Sequence, residues 1–384
     1  MSVHARTPAG SSSRRRAAAV AVSFLAAALG SMYAAAQAQA APATSGTGTL
    51  RTVQVYDYAK QQTAEHVTIA PDGARYVSLG FGGQLEVEHP GGPSRILTFP
   101  GAGAGTFIGA AVVAPDGAVY VSVGSADPAV TGVWTVAPDG TLARYAALPS
   151  QGSELNGMAM DSQGNLYVAD SNLGRIYRVP TCGPAAGTGQ TWVQSQLLDP
   201  VPGQILDGIA FPGANGVAVF RGRLYVSNSA QENILSIPLT RDGSPGPIRI
   251  AYPGIISDDI AFDVQGNLYT TTDPFETVNR VAPDGTVTVL ANSSDGLTGP
   301  SSVAFGTGGD RTTLFITDLG VFSTPHISQL QAIKVGIPGA PSAERVLMVS
   351  SPAPAPPGGT ACSGRRAPGR RRWNWPRSTP RTAS

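Results

Sequence analysis

The sequence is poor in most residue types that build a reactive site directly. Its 384 residues include two cysteines and four histidines, and charged residues make up 13% of the chain. Two cysteines exclude a disulfide-stapled scaffold and leave no Cys/His pattern for a structural zinc site. Beyond the N-terminal segment no apolar run reaches the roughly 20 residues that a bilayer span needs, so no membrane span is expected. No H-E-x-x-H, G-x-S-x-G or phosphate-cradling glycine motif occurs, which removes support for zincin, α/β-hydrolase and nucleotide chemistry. His89 and His326 lack any partner at a meaningful spacing. What is plentiful is glycine (47) and proline (32), the composition of a loop-rich globular protein.

The two ends differ from the middle. Arg14, Arg15 and Arg16 precede an apolar run from Ala17 to Leu29, then small residues and Ala38-Gln39-Ala40. Residues 1–40 therefore read as an export signal peptide cut near Ala41, and the mature protein is expected to be secreted or periplasmic. Sec and twin-arginine routes both fit this pattern. Residues 350–384, rich in Pro, Arg, Gly and Ser, read as a disordered basic tail. The folded part is expected over residues 41–349. Four arginines lie in the signal and seven in the tail, neither of which contains an acid, so the middle carries fifteen basic against twenty-five acidic residues. An acidic folded part argues against nucleic acid as a partner, because phosphate grooves need clustered Lys and Arg. Cys182 falls in an apparent insertion and Cys362 in the tail, and the two are expected to stay unpaired.

One phrase recurs six times: a short apolar run, a Gly-containing turn, and an aromatic-centred β run. The copies begin at Glu65, Gly109, Asn156, Asn215, Asp258 and Ser301, spaced by 44, 47, 59, 43 and 43 residues. Turns such as Pro71-Asp72-Gly73 and Ser162-Gln163-Gly164 make each copy a β-hairpin. A second strand pair follows, as in Gly132–Leu148, giving four strands per repeat. Repeats of this length imply an all-β fold, a six-bladed β-propeller of four-stranded antiparallel blades. The long interval places an insertion between about Thr181 and Gln204. Ring closure has two candidate strands, one beginning at Thr52 and one at Arg345.

In a propeller the first strand of each blade lines the channel, so the six first residues should converge at one mouth. Glu65, Asn156, Asn215 and Asp258 form an all-oxygen set that suits a hard divalent cation, Ca²⁺ ahead of Zn²⁺. Gly109 is expected to leave space beside them. The same residues would serve equally as polar caps that bond one another and water.

With Asn156-Gly157-Met158-Ala159 and Asn215-Gly216-Val217-Ala218 before Leu-Tyr-Val runs, the chain resembles the senescence-marker-protein/gluconolactonase/regucalcin-like propellers, and more loosely the NHL-repeat propellers. The resemblance spans about residues 50–345. It implies a divalent-metal site, usually Ca²⁺ or Zn²⁺, formed by Glu65, Asn156, Asn215 and Asp258, with Asp258 as the catalytic base of a lactone or ester hydrolase. One departure stands out. The lactonases place an Arg two residues before the first of these Asn residues, where this sequence has Glu154, and an acid cannot replace a guanidinium fork. A sugar-acid lactone is thereby in doubt.

Two readings stay open: a metal-dependent hydrolase acting on a small molecule at the central channel, and a non-catalytic propeller that binds a ligand or a protein, since fold does not fix function. In either case the protein is expected to be a monomer. Asp207, in a second copy of the phrase, reads as a turn residue. His66, next to Glu65 on an alternating strand, should point away from it and reads as a packing or surface residue.

Overall fold

The computed structural model describes residues 48–103, 105–206 and 208–341, and the expected signal peptide, the basic tail, Arg345 and Cys362 lie outside them. Each repeat folds as a four-stranded antiparallel sheet, and six such sheets succeed one another. Their first, innermost strands are Ala64–Ile69, Phe107–Val113, Leu155–Met160, Ala214–Phe220, Ile260–Phe262 and Pro300–Phe305 for blades 1 to 6. The six-bladed propeller is thus the observed fold. Of the two closing candidates, the N-terminal one is used: Arg51–Val55 pairs antiparallel with Gln329–Lys334 as the outer strand of blade 6.

The blades hold together because no sheet covers both its own faces. The buried apolar residues fall into six clusters, and each straddles one interface between neighbouring blades. Phe220 of blade 4 stacks on Phe262 of blade 5 with ring centroids 4.4 Å apart. Tyr56, Phe315 and Leu330 from blade 6 pack with Ala64, Val67 and Val77 of blade 1, so the ring closes with the same chemistry as every other joint.

Two of the hairpin turns share one polar device. Asp161 accepts from the backbone N–H of Gln163 and Asn165, from Asn165 Nδ2 at 2.8 Å and from Tyr167 OH at 3.0 Å. Asp263 repeats the arrangement with Gln265, Asn267 and Tyr269. A short acid can satisfy a tight turn's donors locally, which is why D-x-Q-G-N-L-Y folds the same way twice.

The expected insertion needs correction. Residues 190–194 form the fourth strand of blade 3, inside the stretch assigned to the insertion. The extra length follows it, in a connection that carries a small hairpin pairing Ile205–Leu206 with Ile209–Ala210. Asp207 lies between them, outside the described residues. Cys182 is disulfide-bonded, against the expectation of an unpaired thiol.

Candidate functional site

The inner strands do not run as plain alternating ladders. In blades 1, 2, 3, 4 and 6 the register to the second strand shifts at the start of the inner strand, at Ala64/His66, Ile108/Ala111, Leu155/Met158, Ala214/Val217 and Pro300/Ser302. A bulge re-aims side chains that a regular strand would send to opposite faces. The bulged positions are those occupied by Glu65, Gly109, Asn156, Asn215 and Ser301.

Hydroxyl groups then fasten the start of each inner strand to the blade before it. Ser122 Oγ donates to the Asn156 carbonyl at 2.6 Å, Ser227 Oγ to Asp258 at 2.6 Å, Thr271 Oγ1 to Ser301 at 2.8 Å and Thr317 Oγ1 to Glu65 at 3.0 Å. Ser78 does the same for Gly109. Blade 3 carries Ala169 at the matching place and holds blade 4 through Ser171 Oγ on the Ala214 carbonyl, 2.9 Å. One hydroxyl per blade therefore fixes the backbone where the next inner strand begins.

Glycine is required where these backbones meet. A Cβ on Gly157 would lie 2.3 Å from the Asn215 carbonyl oxygen, and one on Gly109 2.5 Å from that of Asn156. Gly109 leaves no open space beside the mouth, contrary to expectation. It lets the bulges of blades 2 and 3 touch.

All four predicted ligands are buried on or beside inner strands. Asn215 and Asp258 are in contact, with Asn215 Nδ2 donating to Asp258 Oδ1 at 2.7 Å and to Ser229 Oγ at 3.1 Å. Asn215 Oδ1 is buried and accepts nothing. Glu65 is near enough for its charge to act on Asp258. Asn156 occupies the matching place in blade 3 but is not part of the pocket wall that Asn215 and Asp258 form. Burial raises the carboxyls of Glu65 and Asp258 well above the usual range, and the charge of Asp273 raises both further. Asp273 itself is pushed up to about 7 by burial. Glu154 is raised by burial and then by Asp170. Acids crowded this way, with no Lys or Arg among the groups that act on Glu65 or Asp258, favour a bound cation.

Among the described residues no group of three or more His, Cys, Asp and Glu is arranged to hold a metal. Any cation here would draw on amide oxygens as well as carboxylates, a donor set that suits a hard ion and not a thiolate- or imidazole-bound one.

Beside these residues opens a pocket with about 370 Å³ of space between atoms, open solvent included. Its polar lining is Asn215, Ser229, Ser257, Asp258 and Asp273. Ile209, Phe211 and Pro212, from the small hairpin and its return, line it together with Ile256, Pro274 and Phe322.

Sequence reading missed Asp273 and Ser229. Both stand just after the end of their blade's second strand, so a second register position of the repeat carried the signal. His66, read as a packing or surface residue, has its Nε2 within 3.3 Å of Asp259 Oδ2, which also accepts from Ser302 Oγ at 2.6 Å.

Comparison with known proteins adds the relatives. A family model described as SMP-30/Gluconolactonase/LRE-like region matches residues 86–319, more than half of the chain, which includes Asn156, Asn215 and Asp258 and leaves Glu65 outside. The sequence finds no match among curated proteins. Among solved structures, a luciferin-regenerating enzyme superposes with a TM-score of 0.57 at 14% identity, over 76% of this chain and 97% of its own. A putative gluconolactonase gives 0.56 at 15% identity, over 76% and 93%. Regucalcin from Agrobacterium tumefaciens, a calcium-binding protein, gives 0.55 at 18% identity, over 78% and 95%. At such identities the structural likeness speaks for the fold alone.

Proposed function

The chain belongs to the SMP-30/gluconolactonase/LRE-like family, and from that premise we propose that it is an exported, monomeric, divalent-metal-dependent hydrolase of lactone or related ester bonds. The observation that carries this reading is Asn215. Its amide is fixed by Asp258 and Ser229 through the nitrogen while its oxygen is buried without a donor, a state that costs free energy unless something positive meets it.

Glu65, Asn156, Asn215 and Asp258 would hold the ion, Ca²⁺ ahead of Zn²⁺ on the all-oxygen donor set. When bound, a divalent cation polarises a carbonyl and makes a neighbouring water easier to deprotonate. The chain's own part is positional and basic. Asp258 Oδ1 is tied to Asn215 Nδ2, which leaves Oδ2 to take a proton from water. Ser227 holds the Asp258 backbone in place. A carboxyl raised by burial is a stronger base than an exposed one once it is ionised. In the reaction the water oxygen bonds to the acyl carbon, the acyl C–O bond breaks, and the proton held at Oδ2 passes to the departing alkoxide oxygen. The new carboxyl group loses its own proton to solvent.

The test is elemental analysis of the purified mature protein together with melting scans with and without chelator. One equivalent of a divalent ion and a melting temperature that falls on chelation are expected. A metal-free protein that no divalent ion stabilises would end this reading. Glu154 in place of an arginine favours a second one, a propeller that binds a ligand without turnover. In that case a ligand would still be retained after combined Glu65→Ala and Asp258→Ala substitution.

A further inference from the structure

We propose that the substrate is an uncharged lactone or ester carrying an apolar chain, selected by the wall of Ile209, Phe211, Pro212, Ile256, Pro274 and Phe322 that lines the pocket beside its polar residues. This rests on the hydrolase reading and names its substrate class.

Three observations lead there. Apolar residues, among them Ile209, Phe211, Pro212, Ile256 and Phe322, make up most of the pocket's lining, beside the polar Asn215, Ser229, Ser257, Asp258 and Asp273. A polyhydroxylated sugar ring would lose its water partners against such walls and find few replacements, whereas an alkyl chain loses nothing it needs. Second, the ionisable residues that line the pocket are acids. Asp258 and Asp273 both belong to its lining and no Lys, Arg or His does, so an anionic substrate would meet repulsion. Third, part of the wall comes from the added segment. The connection between blades 3 and 4 carries the small hairpin, and Ile205 and Ile209 on it are 62% and 41% exposed, with Val201 just before it at 41%. Aliphatic side chains held in water beside a pocket gain free energy when an apolar chain covers them. The bond chemistry is the hydrolysis balanced above: water is the co-reactant, one acyl C–O bond breaks and one forms.

The experiment compares γ-butyrolactone, γ-octalactone and γ-dodecalactone with glucono-δ-lactone on the metal-loaded mature protein. Beside it, calorimetry measures binding of the matching alkyl γ-lactams, which are not hydrolysed under these conditions. We expect kcat/KM to rise about threefold for each methylene until the wall is filled, close to the gain for burying one CH₂. Glucono-δ-lactone should be at least 100-fold slower than γ-dodecalactone. Phe322→Ser should lower kcat/KM for γ-dodecalactone at least tenfold while affecting γ-butyrolactone less. Ile209→Ser, at an exposed position, should do the same more weakly should the Phe322 variant fail to fold. Faster turnover of glucono-δ-lactone, or no dependence on chain length, overturns the substrate class and leaves the hydrolase standing. Lactams that bind with a chain-length dependence while no lactone is cleaved overturn the hydrolase and leave the ligand class standing. Neither binding nor cleavage overturns both.

Discussion

Asp258 is the residue on which the proposed chemistry turns, because in that proposal it would contribute both a ligand oxygen and the proton acceptor. Asp258→Ala should abolish lactone hydrolysis and lower metal content while leaving the fold intact, which circular dichroism and elemental analysis check together. A second acid reports on stability and not on catalysis. Asp318 is fully buried, donates no charge to the proposed metal set, and is pushed up to about 7 by burial, although Gln329 Nε2 bonds its Oδ2 at 2.9 Å. In the unfolded chain it would titrate near an ordinary aspartate, about 4. Between about pH 4 and pH 7 the unfolded chain therefore holds fewer protons at this position than the folded one, and stability falls as pH rises through that window. Asp318→Asn should remove the penalty: its melting temperature, relative to the parent, should be higher at pH 8 than at pH 4. An unchanged difference would show that Asp318 ionises freely in the fold. At this scale the sequence was readable where a residue's place in the repeat decided its fate, as for Glu65, Asn215 and Asp258. It was silent on the partner of His66, because Asp259 lies in another blade.

At the scale of elements, two devices hold the mouth: a hydroxyl that reaches the next blade's carbonyl and a glycine where backbones touch. Thr317 bonds the Glu65 carbonyl, accepts from the Ser302 N–H at 3.1 Å and meets Ser301 Oγ at 3.1 Å, so it ties blade 6 to blade 1. Thr317→Val keeps the shape and removes these bonds, and should cost about 1–3 kcal/mol in urea unfolding because buried partners are left unmet. Gly157→Ala drives a methyl into the Asn215 carbonyl and should cost about 1–3 kcal/mol. It should also weaken metal binding, since Asn215 cannot move without moving its amide; a variant that melts like the parent would show that blade 4 yields easily. Neither device is visible in sequence as a motif. Ser78, Ser122, Ser227, Thr271 and Thr317 recur at one repeat position, yet a small hydroxyl inside a β run reads as ordinary strand composition until a neighbouring blade supplies the acceptor.

For the whole molecule, closure is the element with the largest consequence. Arg51–Val55 is the outer strand of blade 6, and it covers Gln329–Lys334, whose Leu330 and Ala332 are buried against blade 1. A mature chain lacking residues through Val55 should expose that edge and be recovered mainly as aggregate by size-exclusion chromatography. Among the described residues no helix is long and apolar enough to cross a membrane. The six repeats and the hairpin grammar were settled by the sequence alone, because periodicity and turn chemistry are local and repeat without reference to the rest of the chain. Which terminal strand closes the ring, that the added segment walls a pocket, and that Asp273 and Ser229 join Asn215 and Asp258 were decided only in three dimensions. Closure joins Arg51–Val55 to Gln329–Lys334 from the far end of the chain, and the pocket gathers side chains from several connections, so neither outcome shows in the spacing of one repeat.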